Sequence, residues 1–510
     1  MASYVDAFAP AWQWDDFVGW PPDVFAVANL VLDQTEGYRF VVAPPTGRHW
    51  PPFDSWEAHV RGAARAWRRS LGEPPPLVQD CWDTVARCRD VPLAEVRGGT
   101  AWDLNAALLT LHALADEACA DVASPKRHPS GVRFEADAQR LLEAQGSLSR
   151  LSPVRVRILP KTNFSARGIT IRSLSRYLGL CYEAVDVRWR SVGPGPSNDR
   201  RDYNVVLLPW PLSVRSRDFR PVPTTLIENM DRDVFGFFEF APEGSLDCEL
   251  VDSLLAAAGC VDALILPESA VDAESIASLE STLGAHGAGF LIAGVRERPA
   301  ASTLGRNYLH FGVRTNGSWN RYEQDKHHRW CLDEGQLRQY HLTRSLHPKK
   351  MWWEAIGLRE RRLHIIDLGS RITTAPMVCE DLASLDEVAD NVRRIGPSLV
   401  VAVLLDGPQL ASRWPCRYSS VLTDDPGSAV LTLTSFGMAA RSLPPGKARS
   451  RVVAHWNDRS DSPREIELAR GAAGVLLHMR VEDSTVWTAD GRCHGDVPRL
   501  KLAGVRQLRP

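Results

Sequence analysis

Apolar residues recur at helical spacing through the first 150 residues of the chain. The segment 54–72, DSWEAHVRGAARAWRRSLG, and the segment 101–122 both have the spacing of a helix with a buried face. Before them, PPDVFAVANLVLDQTEGYRFVVAPP at 21–45 predicts a helix that is followed by a strand. We find no set of residues suited to catalysis here. We therefore expect residues 1–150 to form a mainly helical domain with a docking or regulatory role.

A basic, turn-rich stretch follows at 151–202. Its segment 169–185, ITIRSLSRYLGLCYEAV, has the pattern of a helix, and SVGPGPSNDRRD at 191–202 has the Gly, Pro, Ser and Asn content of a loop at a domain boundary. The arginines could contact a nucleic acid or a partner protein, although a solvated basic face is the simpler explanation. We expect this stretch to be a connector.

From residue 203 the pattern changes to short apolar runs with helices between several of them. The runs are rich in Val, Ile and Leu and do not alternate cleanly with polar residues, as is typical of strands covered on both faces. Predicted strands lie at 203–211, 261–269, 288–296, 307–315, 362–369, 373–381, 398–406, 429–437 and 451–458. Predicted helices lie at 249–259, 273–287 and 382–396. This alternation indicates a layered α/β core over residues 203–510.

Composition and charge narrow the class of protein. The chain has 510 residues, 44% of them hydrophobic, and a formal net charge of -2, so no overall field attracts it to nucleic acid or to anionic lipid. Neither a secretory signal nor an apolar run of about 20 residues, long enough to span a bilayer, is found. The ten cysteines form no CxxC pair, so we expect free thiols and a reducing cytoplasm.

Three polar residues stand where apolar runs end. Glu268 follows ALILP directly, Lys326 lies in NRYEQDKHHRW just after a strand, and Cys379 lies between PMV and EDL at the start of a helix. Each has an ordinary explanation when it is taken alone, as a surface carboxylate, a loop lysine or a buried thiol. A thiol at a helix N-terminus does, however, favour its thiolate form.

Taken together, these residues resemble the motifs of the nitrilase, or carbon–nitrogen hydrolase, superfamily. The matching segments are LPE at 266–268, YEQDKHH at 322–328 and VCED at 378–381, with Glu334 in CLDEGQL in the place of a second family glutamate. The resemblance covers roughly residues 203 to 490. It implies an α-β-β-α sandwich, here preceded by the mainly helical N-terminal domain, and it implies homo-oligomers.

The resemblance also implies a role for each residue. Cys379 would be the nucleophile and Glu268 the general base and acid. Lys326, together with the backbone N–H of Glu380, would stabilise the tetrahedral intermediate, and Glu334 would orient the lysine or the substrate. Asp381 would support the turn. Such a set meets the needs of attack on an amide or nitrile carbon, which are a thiolate, a base and donors for the developing negative charge.

Two departures from the family pattern affect the site. The segment 341–357, HLTRSLHPKKMWWEAIG, enlarges a loop whose Trp352, Trp353, Lys349 and Lys350 could select a bulky or anionic substrate, or could serve an interface or a cover. The paired histidines of KHHRW could be metal ligands, but adjacent residues of an extended chain point to opposite sides. The resemblance also implies that no metal is needed, so we expect neither a metal nor another cofactor.

The leading hypothesis is a thiol-dependent hydrolase of a non-peptide C–N bond, with transfer of the acyl group to another acceptor as a variant. CEDL is also similar to glutaminase domains that feed ammonia to NAD synthetase, but no downstream SGGxDS motif is present. The alternative is a nitrilase-fold regulatory or assembly module that binds a partner protein through residues 1–200. The resemblance allows this setting, because nitrilase-like domains are also found attached to, or encoded beside, bacterial reverse transcriptases and other defence proteins.

Overall fold

The computed structural model describes residues 1–510 except 9–13, 121, 123–132, 152–154, 165–167, 183–184, 192–199, 224–230, 232, 299–303, 369–371, 384–387, 443–448 and 460–461, and it leaves the side chains of residues 15 and 496 undescribed. Most of the predicted loop at 191–202 therefore lies outside the described residues.

Helices dominate the described part of residues 1–150. They are α1 (Ala2–Asp6), α2 (Trp14–Phe17), α3 (Pro21–Thr35), α4 (Trp56–Arg69), α5 (Pro76–Arg87), α6 (Leu93–Arg97), α7 (Trp102–Ala118) and α8 (Arg133–Gln145). The strand expected near residue 40 is wrong. Glu36 adopts a left-handed conformation with φ 55° and ends α3, and a 3-10 helix, Gly37–Val41, follows at once.

The helix expected at 169–185 is also wrong. The segment forms a short 3-10 helix and then strand β2 (Leu178–Tyr182), which pairs antiparallel with β1 (Val156–Pro160). The carboxylate of Asp116 accepts the backbone N–H groups of residues 176–178 at 2.8 to 3.0 Å, and this holds the chain extended. Tertiary contacts thus override the local helical pattern.

Two large sheets form the centre of the molecule. The eight-stranded sheet has the order β11 (Ser318–Asp325), β10 (Arg306–Thr315), β9 (Phe290–Glu297), β7 (Ala263–Ile265), β4 (Asp202–Leu207), β20 (Gly474–Trp487) and β21 (Cys493–Leu508), with β8 (Val271–Asp272) beside β9. The seven-stranded sheet has the order β19 (Arg464–Glu467), β18 (Val452–Asn457), β17 (Ala429–Thr434), β16 (Leu399–Leu404), β15 (Thr373–Val378), β14 (Arg362–Asp367) and β3 (Asp186–Ser191). Strand β3 comes from the predicted connector, so that stretch contributes an edge strand.

The two sheets pack face to face and are covered by helices on their outer faces. One apolar core, which includes Val205, Leu309, Val401 and Leu431, joins the inner faces of both sheets. Helices α9 (Cys248–Ala258) and α10 (Ile276–Ala285) cover the eight-stranded sheet. The N-terminal helices, with α12 (Asp390–Ile395), share a core with the outer face of the seven-stranded sheet. The predicted α-β-β-α sandwich with a helical N-terminal region is confirmed.

A smaller four-stranded sheet, not expected from the sequence, lies at one end of the sandwich. Its order is β12 (Cys331–Leu332), β13 (Met351–Glu354), β6 (Phe235–Phe240) and β5 (Phe219–Val222), with β13 and β6 parallel. Helices α11 (Glu334–Gln339), α13 (Trp414–Asp424) and α14 (Phe436–Arg441) complete the described α-helices. No described helix is both long enough and apolar enough to cross a bilayer.

A buried arginine ties the end of the chain to the N-terminal helices. Arg492 lies in the turn between β20 and β21, with no exposed surface. Its guanidinium donates to Asp116 at 3.1 Å and Glu117 at 3.0 Å on α7, and to Asp490 at 2.9 Å. Burial alone would lower the pKa of Arg492, but these carboxylates raise it above its usual value.

Candidate active site

Glu268, Lys326 and Cys379 meet where strands of both large sheets end. Glu268 lies three residues beyond β7, Lys326 follows β11, and Cys379 follows β15. Their exposed fractions are 0%, 1% and 5%. Gly294 on β9 permits this arrangement, because a Cβ atom there would lie only 2.4 Å from the Cα atom of Glu268.

Cys379 occupies an unusual backbone conformation. Its φ of 49° lies in the left-handed region, which residues other than glycine rarely adopt, and a 3-10 turn, Cys379–Leu382, begins at this residue. A residue in this conformation persists only where the surrounding structure holds it in place, and such residues cluster at functional sites. The backbone therefore marks Cys379 out from the other described cysteines, none of which has a positive φ.

Lys326 is held between two carboxylates. Its Nζ atom donates to Oε1 of Glu268 and to Oε2 of Glu354, each at 2.7 Å. Burial alone would lower the pKa of Lys326, but Glu268 and then Glu354 raise it well above its usual value. The lysine thus keeps its positive charge in a buried site.

Sequence reasoning missed Glu354. This residue ends β13 in the segment WWEAIG, which we interpreted only as part of an enlarged loop. Its side chain is almost fully buried, and it also accepts from Asn307 at 2.8 Å and from the backbone N–H of Trp330 at 3.3 Å. A signal was present in its position, since it too stands where a short apolar run, MWW, ends.

Glu334 is not brought into this cluster. It begins α11 with 56% of its side chain exposed, and its carboxylate pairs with Arg338 one turn later at 2.6 Å. Among the described residues, Glu354 instead of Glu334 supplies the second carboxylate beside Lys326. The orienting role that the resemblance implied for Glu334 thus has no support from its position.

The electrostatics favour a protonated thiol that a base must activate. Burial raises the pKa of Cys379 well above its usual value, the charge of Glu268 raises it further, and Lys326 opposes both. Burial also raises the pKa of Glu268, although Lys326 counteracts this effect. A raised carboxyl pKa suits a group that must take up and return a proton near neutral pH.

The two residues after the cysteine differ in their surroundings. Glu380 is partly exposed, and burial raises the pKa of its carboxyl, with Lys326 acting against this shift. Asp381 is buried, and burial raises its pKa to about 7 in spite of the charge of Arg361. The site therefore contains several carboxyl groups that titrate above their usual range.

A cavity of about 630 Å³ opens beside Cys379. Its lining is aromatic and polar and comprises His328, Trp330, Gln336, Gln339, Tyr340, Cys379, Glu380, Ala383, Leu405, Asp406, Arg413, Trp414 and Tyr418. Asp406 is held there by Arg413 at 2.6 Å and by the indole N–H of Trp414 at 3.1 Å. The cavity is large enough for a small molecule that reaches the thiol.

The tryptophans and lysines of the enlarged loop do not line this cavity. Trp352 packs on Gly236 in the core of the four-stranded sheet and donates its indole N–H to the carbonyl of His347 at 2.9 Å. Selection of a bulky or anionic substrate by Trp352, Trp353, Lys349 or Lys350 is therefore not supported by their placement.

The two adjacent histidines, His327 and His328, each form a hydrogen bond with an arginine. Nε2 of His328 lies 2.9 Å from the guanidinium of Arg361, and Nε2 of His327 accepts the backbone N–H of Arg362 at 3.2 Å. Burial, followed by the charge of Arg361, lowers the pKa of His327 to about 4. Within the described parts of the chain, no group of three or more His, Cys, Asp or Glu residues is placed to hold a metal ion.

Comparisons with known proteins give structural neighbours alone. No protein-family model and no curated protein matches the chain. The chain is similar to XC1258 from Xanthomonas campestris, a CN-hydrolase superfamily protein with an arsenic adduct in its active site (12% identity, 61% of this chain and 91% of that chain, TM-score 0.27). It is also similar to Saccharomyces cerevisiae Nit3, a member of branch 10 of the nitrilase superfamily (10% identity, 62% of this chain and 93% of that chain, TM-score 0.28).

A third similar structure is the C. elegans NitFhit protein, at 10% identity, with coverage of 51% of this chain and 56% of that chain and a TM-score of 0.33. Likeness at these TM-scores supports no inference about chemistry. Solved structures similar to this chain thus include members of the CN-hydrolase and nitrilase superfamily, while the candidate site rests on its own geometry.

Proposed function

We propose that this protein is a thiol-dependent hydrolase of a non-peptide C–N bond in an amide or a nitrile. The observation that supports the proposal best is a buried Lys326 between two carboxylates, beside a cysteine in a left-handed turn that opens on a cavity. A buried charge cluster is costly to maintain, and such clusters with shifted pKa values occur preferentially at functional sites.

The reaction of an amide would begin at the thiol of Cys379. Glu268 takes the thiol proton while the sulfur bonds to the carbonyl carbon, and the carbonyl π electrons move to oxygen. The ammonium of Lys326 and the backbone N–H of Glu380 stabilise the resulting oxyanion. Collapse of this intermediate breaks the C–N bond, and protonated Glu268 returns its proton to the leaving amine.

Water completes the cycle. Glu268 accepts a proton from a water molecule as its oxygen attacks the acyl-sulfur carbon, the C–S bond breaks, and the sulfur regains a proton to restore the thiol. With a nitrile, the sulfur bonds to the nitrile carbon and the thiol proton passes through Glu268 to the nitrogen, which gives a thioimidate; one water then adds and ammonia leaves to give the thioester, and a second water hydrolyses it. Transfer of the acyl group to an acceptor other than water would differ only in this last attack.

A thiol-directed alkylating probe tests the proposal without a known substrate. The wild-type protein and Glu268→Gln are labelled across a range of pH, and the modified cysteines are identified by mass spectrometry. We expect Cys379 to be labelled selectively near neutral pH in the wild type, and this selectivity to be lost in Glu268→Gln. Glu334→Gln, which removes an exposed carboxylate, serves as the matched control.

If Cys379 is labelled no faster than the other nine cysteines, the hydrolase proposal is wrong. The alternative of a regulatory or assembly module would then be favoured. If the labelling is selective, a panel of amides and nitriles small enough for the cavity would identify the substrate class through release of ammonia or amine.

A further inference from the structure

One buried asparagine contacts each of the three charged residues Glu268, Lys326 and Glu354. Asn307 lies on β10, with 2% of its surface exposed. Its Nδ2 atom donates to Oε1 of Glu268 and to Oε1 of Glu354, both at 2.8 Å. Its backbone carbonyl accepts the N–H of Lys326 at 2.9 Å.

The two N–H bonds of this amide are both committed to carboxylates. A carboxamide has two N–H donors, and here each one meets a different glutamate. Oδ1 of Asn307 has no hydrogen-bond partner among the described residues, although it is buried. An unsatisfied buried oxygen costs stability, so the orientation of the amide is held by its two donor bonds and not by its acceptor.

Asn307 and Lys326 together link the carboxylates through four hydrogen bonds. Glu268 receives both donors on Oε1, whereas Glu354 receives Lys326 on Oε2 and Asn307 on Oε1. The backbone N–H of Leu405 donates to Oε2 of Glu268 at 2.6 Å. Hydrogen bonds to a charged carboxylate favour its ionised form.

We propose that Asn307 is a positioning residue that holds the carboxylates of Glu268 and Glu354 on either side of Lys326, and that it thereby sets the lowest pH at which Glu268 can accept the thiol proton. This inference rests on the proposed function, because it assigns Glu268 the role of base. Nothing in the sequence motifs pointed to this position, since Asn307 begins an ordinary apolar strand.

The direction of the effect follows from the groups that face Glu268. Lys326 faces it from the end of β11, Glu354 from β13, and Cys379 and Asp381 from the turn after β15, with Asp406 acting on the cysteine from beyond β16. Burial raises the pKa of Glu268, and Lys326 and Asn307 both lower it. Loss of Asn307 therefore raises this pKa, so the base becomes ionised only at a higher pH.

The test measures the alkylation rate of Cys379 against pH in the full-length protein. For Asn307→Leu, whose side chain has the same number and branching of heavy atoms but no donor, we expect the midpoint of the acid limb to move upward by about one pH unit. Such a shift is a tenfold change in the ionised fraction below the midpoint. The rate well above the midpoint should stay close to that of the wild type, which a general loss of structure would not allow.

Gln324→Leu is the matched control. Gln324 is an amide on β11 with the same 2% exposure, and it binds the carbonyl of Pro376 and the N–H of His364 but neither glutamate. An unchanged midpoint in Asn307→Leu, or an equal shift in Gln324→Leu, would overturn the inference. If Asn307→Leu does not fold, Asn307→Asp, which puts an acceptor in place of the donor, must show the same upward shift.

The two proposals fail in different ways. If the hydrolase proposal is wrong, Cys379 is not selectively reactive even in the wild type. If only the role of Asn307 is wrong, the wild type shows selective labelling with an acid limb that depends on Glu268, and the Asn307 variants share its midpoint.

Discussion

Glu354 and Glu334 show how strongly the surroundings of a carboxylate decide what it can do. Glu354 contacts a buried lysine and a buried amide, whereas Glu334 faces solvent and pairs with an arginine on its own helix. An exposed ion pair of this kind contributes little to stability or to a distant site. The two glutamates therefore form a natural pair for comparison.

We expect Glu354→Gln to lower turnover, or the rate of Cys379 alkylation near neutral pH, by roughly 100-fold, the scale seen when one preorganised electrostatic group of an active site is lost. The physical reason is the loss of one of the two charges that hold Lys326 in place. Glu334→Gln should stay within about twofold of the wild type, the scale of typical surface substitutions. Equal effects of the two substitutions would contradict this assignment.

At this scale the sequence predicts Glu268 and Cys379 as site residues because each directly follows a short apolar run and lies in a motif, and it predicts Lys326 from its motif alone. It does not identify Glu354, whose carboxylate reaches Lys326 only because β13 pairs with β6, more than a hundred residues earlier in the chain. A family spacing placed the second glutamate at 334. Pairing between distant strands, which no local pattern encodes, instead places Glu354 beside Lys326.

The turn Cys379–Leu382 couples the cysteine to the packing around it. Leu382 belongs to the core shared with the N-terminal helices, while Cys379 belongs to the core between the two sheets. Asp381 is buried between them, with the pKa of its carboxyl raised to about 7 by burial. The turn is therefore an element whose stability depends on pH.

The sign of this dependence follows from the direction of the shift. The usual pKa of an aspartic acid is near 3.8, so the native state retains the proton of Asp381 to a higher pH than the unfolded chain does. The contribution of Asp381 is fully present below pH 3.8 and is lost as the pH rises to about 7. Asp381→Asn cannot ionise, and we expect its free energy of unfolding to fall less steeply over this range.

Chemical unfolding at several pH values measures this slope. Asp90→Asn is a suitable control, because the side chain of Asp90 is 86% exposed. If Asp381→Asn and the wild type show parallel slopes between pH 4 and pH 7, the carboxyl of Asp381 does not titrate as its burial indicates.

Elements buried on both faces were the easiest to predict. The runs that become β16 and β17 consist almost entirely of apolar residues and threonine, and their bounds in the structure lie within the predicted ranges. The segment that becomes β2 was wrongly predicted to be helical, because its apolar residues do recur at helical spacing. Its backbone is held extended by Asp116 and by β1, and Gly179 is required there because a Cβ atom would lie 2.4 Å from the carbonyl oxygen of Arg394.

In the whole molecule, Arg492 joins parts of the chain that are far apart in sequence. Three carboxylates surround its guanidinium, two of them on α7; Asp116 and Asp490 are buried, and the side chain of Glu117 is nearly so. We expect Arg492→Leu to destabilise the protein by about 3 to 5 kcal/mol, because it leaves these carboxylates buried without their cation. The shift of the urea midpoint measures this cost.

Arg480→Leu provides the comparison on the same hairpin. Arg480 lies on β20 and pairs with Asp202, and both side chains are about half exposed. Its loss should leave the urea midpoint nearly unchanged. A similar loss of stability in the two variants would show that the contacts of Arg492 are no more important than those of a surface ion pair.

The position of Arg492 also has a consequence for biosynthesis. It follows its partner Asp116 by 376 residues, so a ribosome that adds about 5 to 20 residues per second exposes α7 roughly 20 to 75 s before the arginine emerges. During that interval Asp116 and Glu117 lack the guanidinium that pairs with them, although Asp116 can already accept the backbone N–H groups of residues 176–178. The buried ion pairs of α7 with Arg492 can therefore form only after the turn between β20 and β21 has emerged, long after the helix itself has been made.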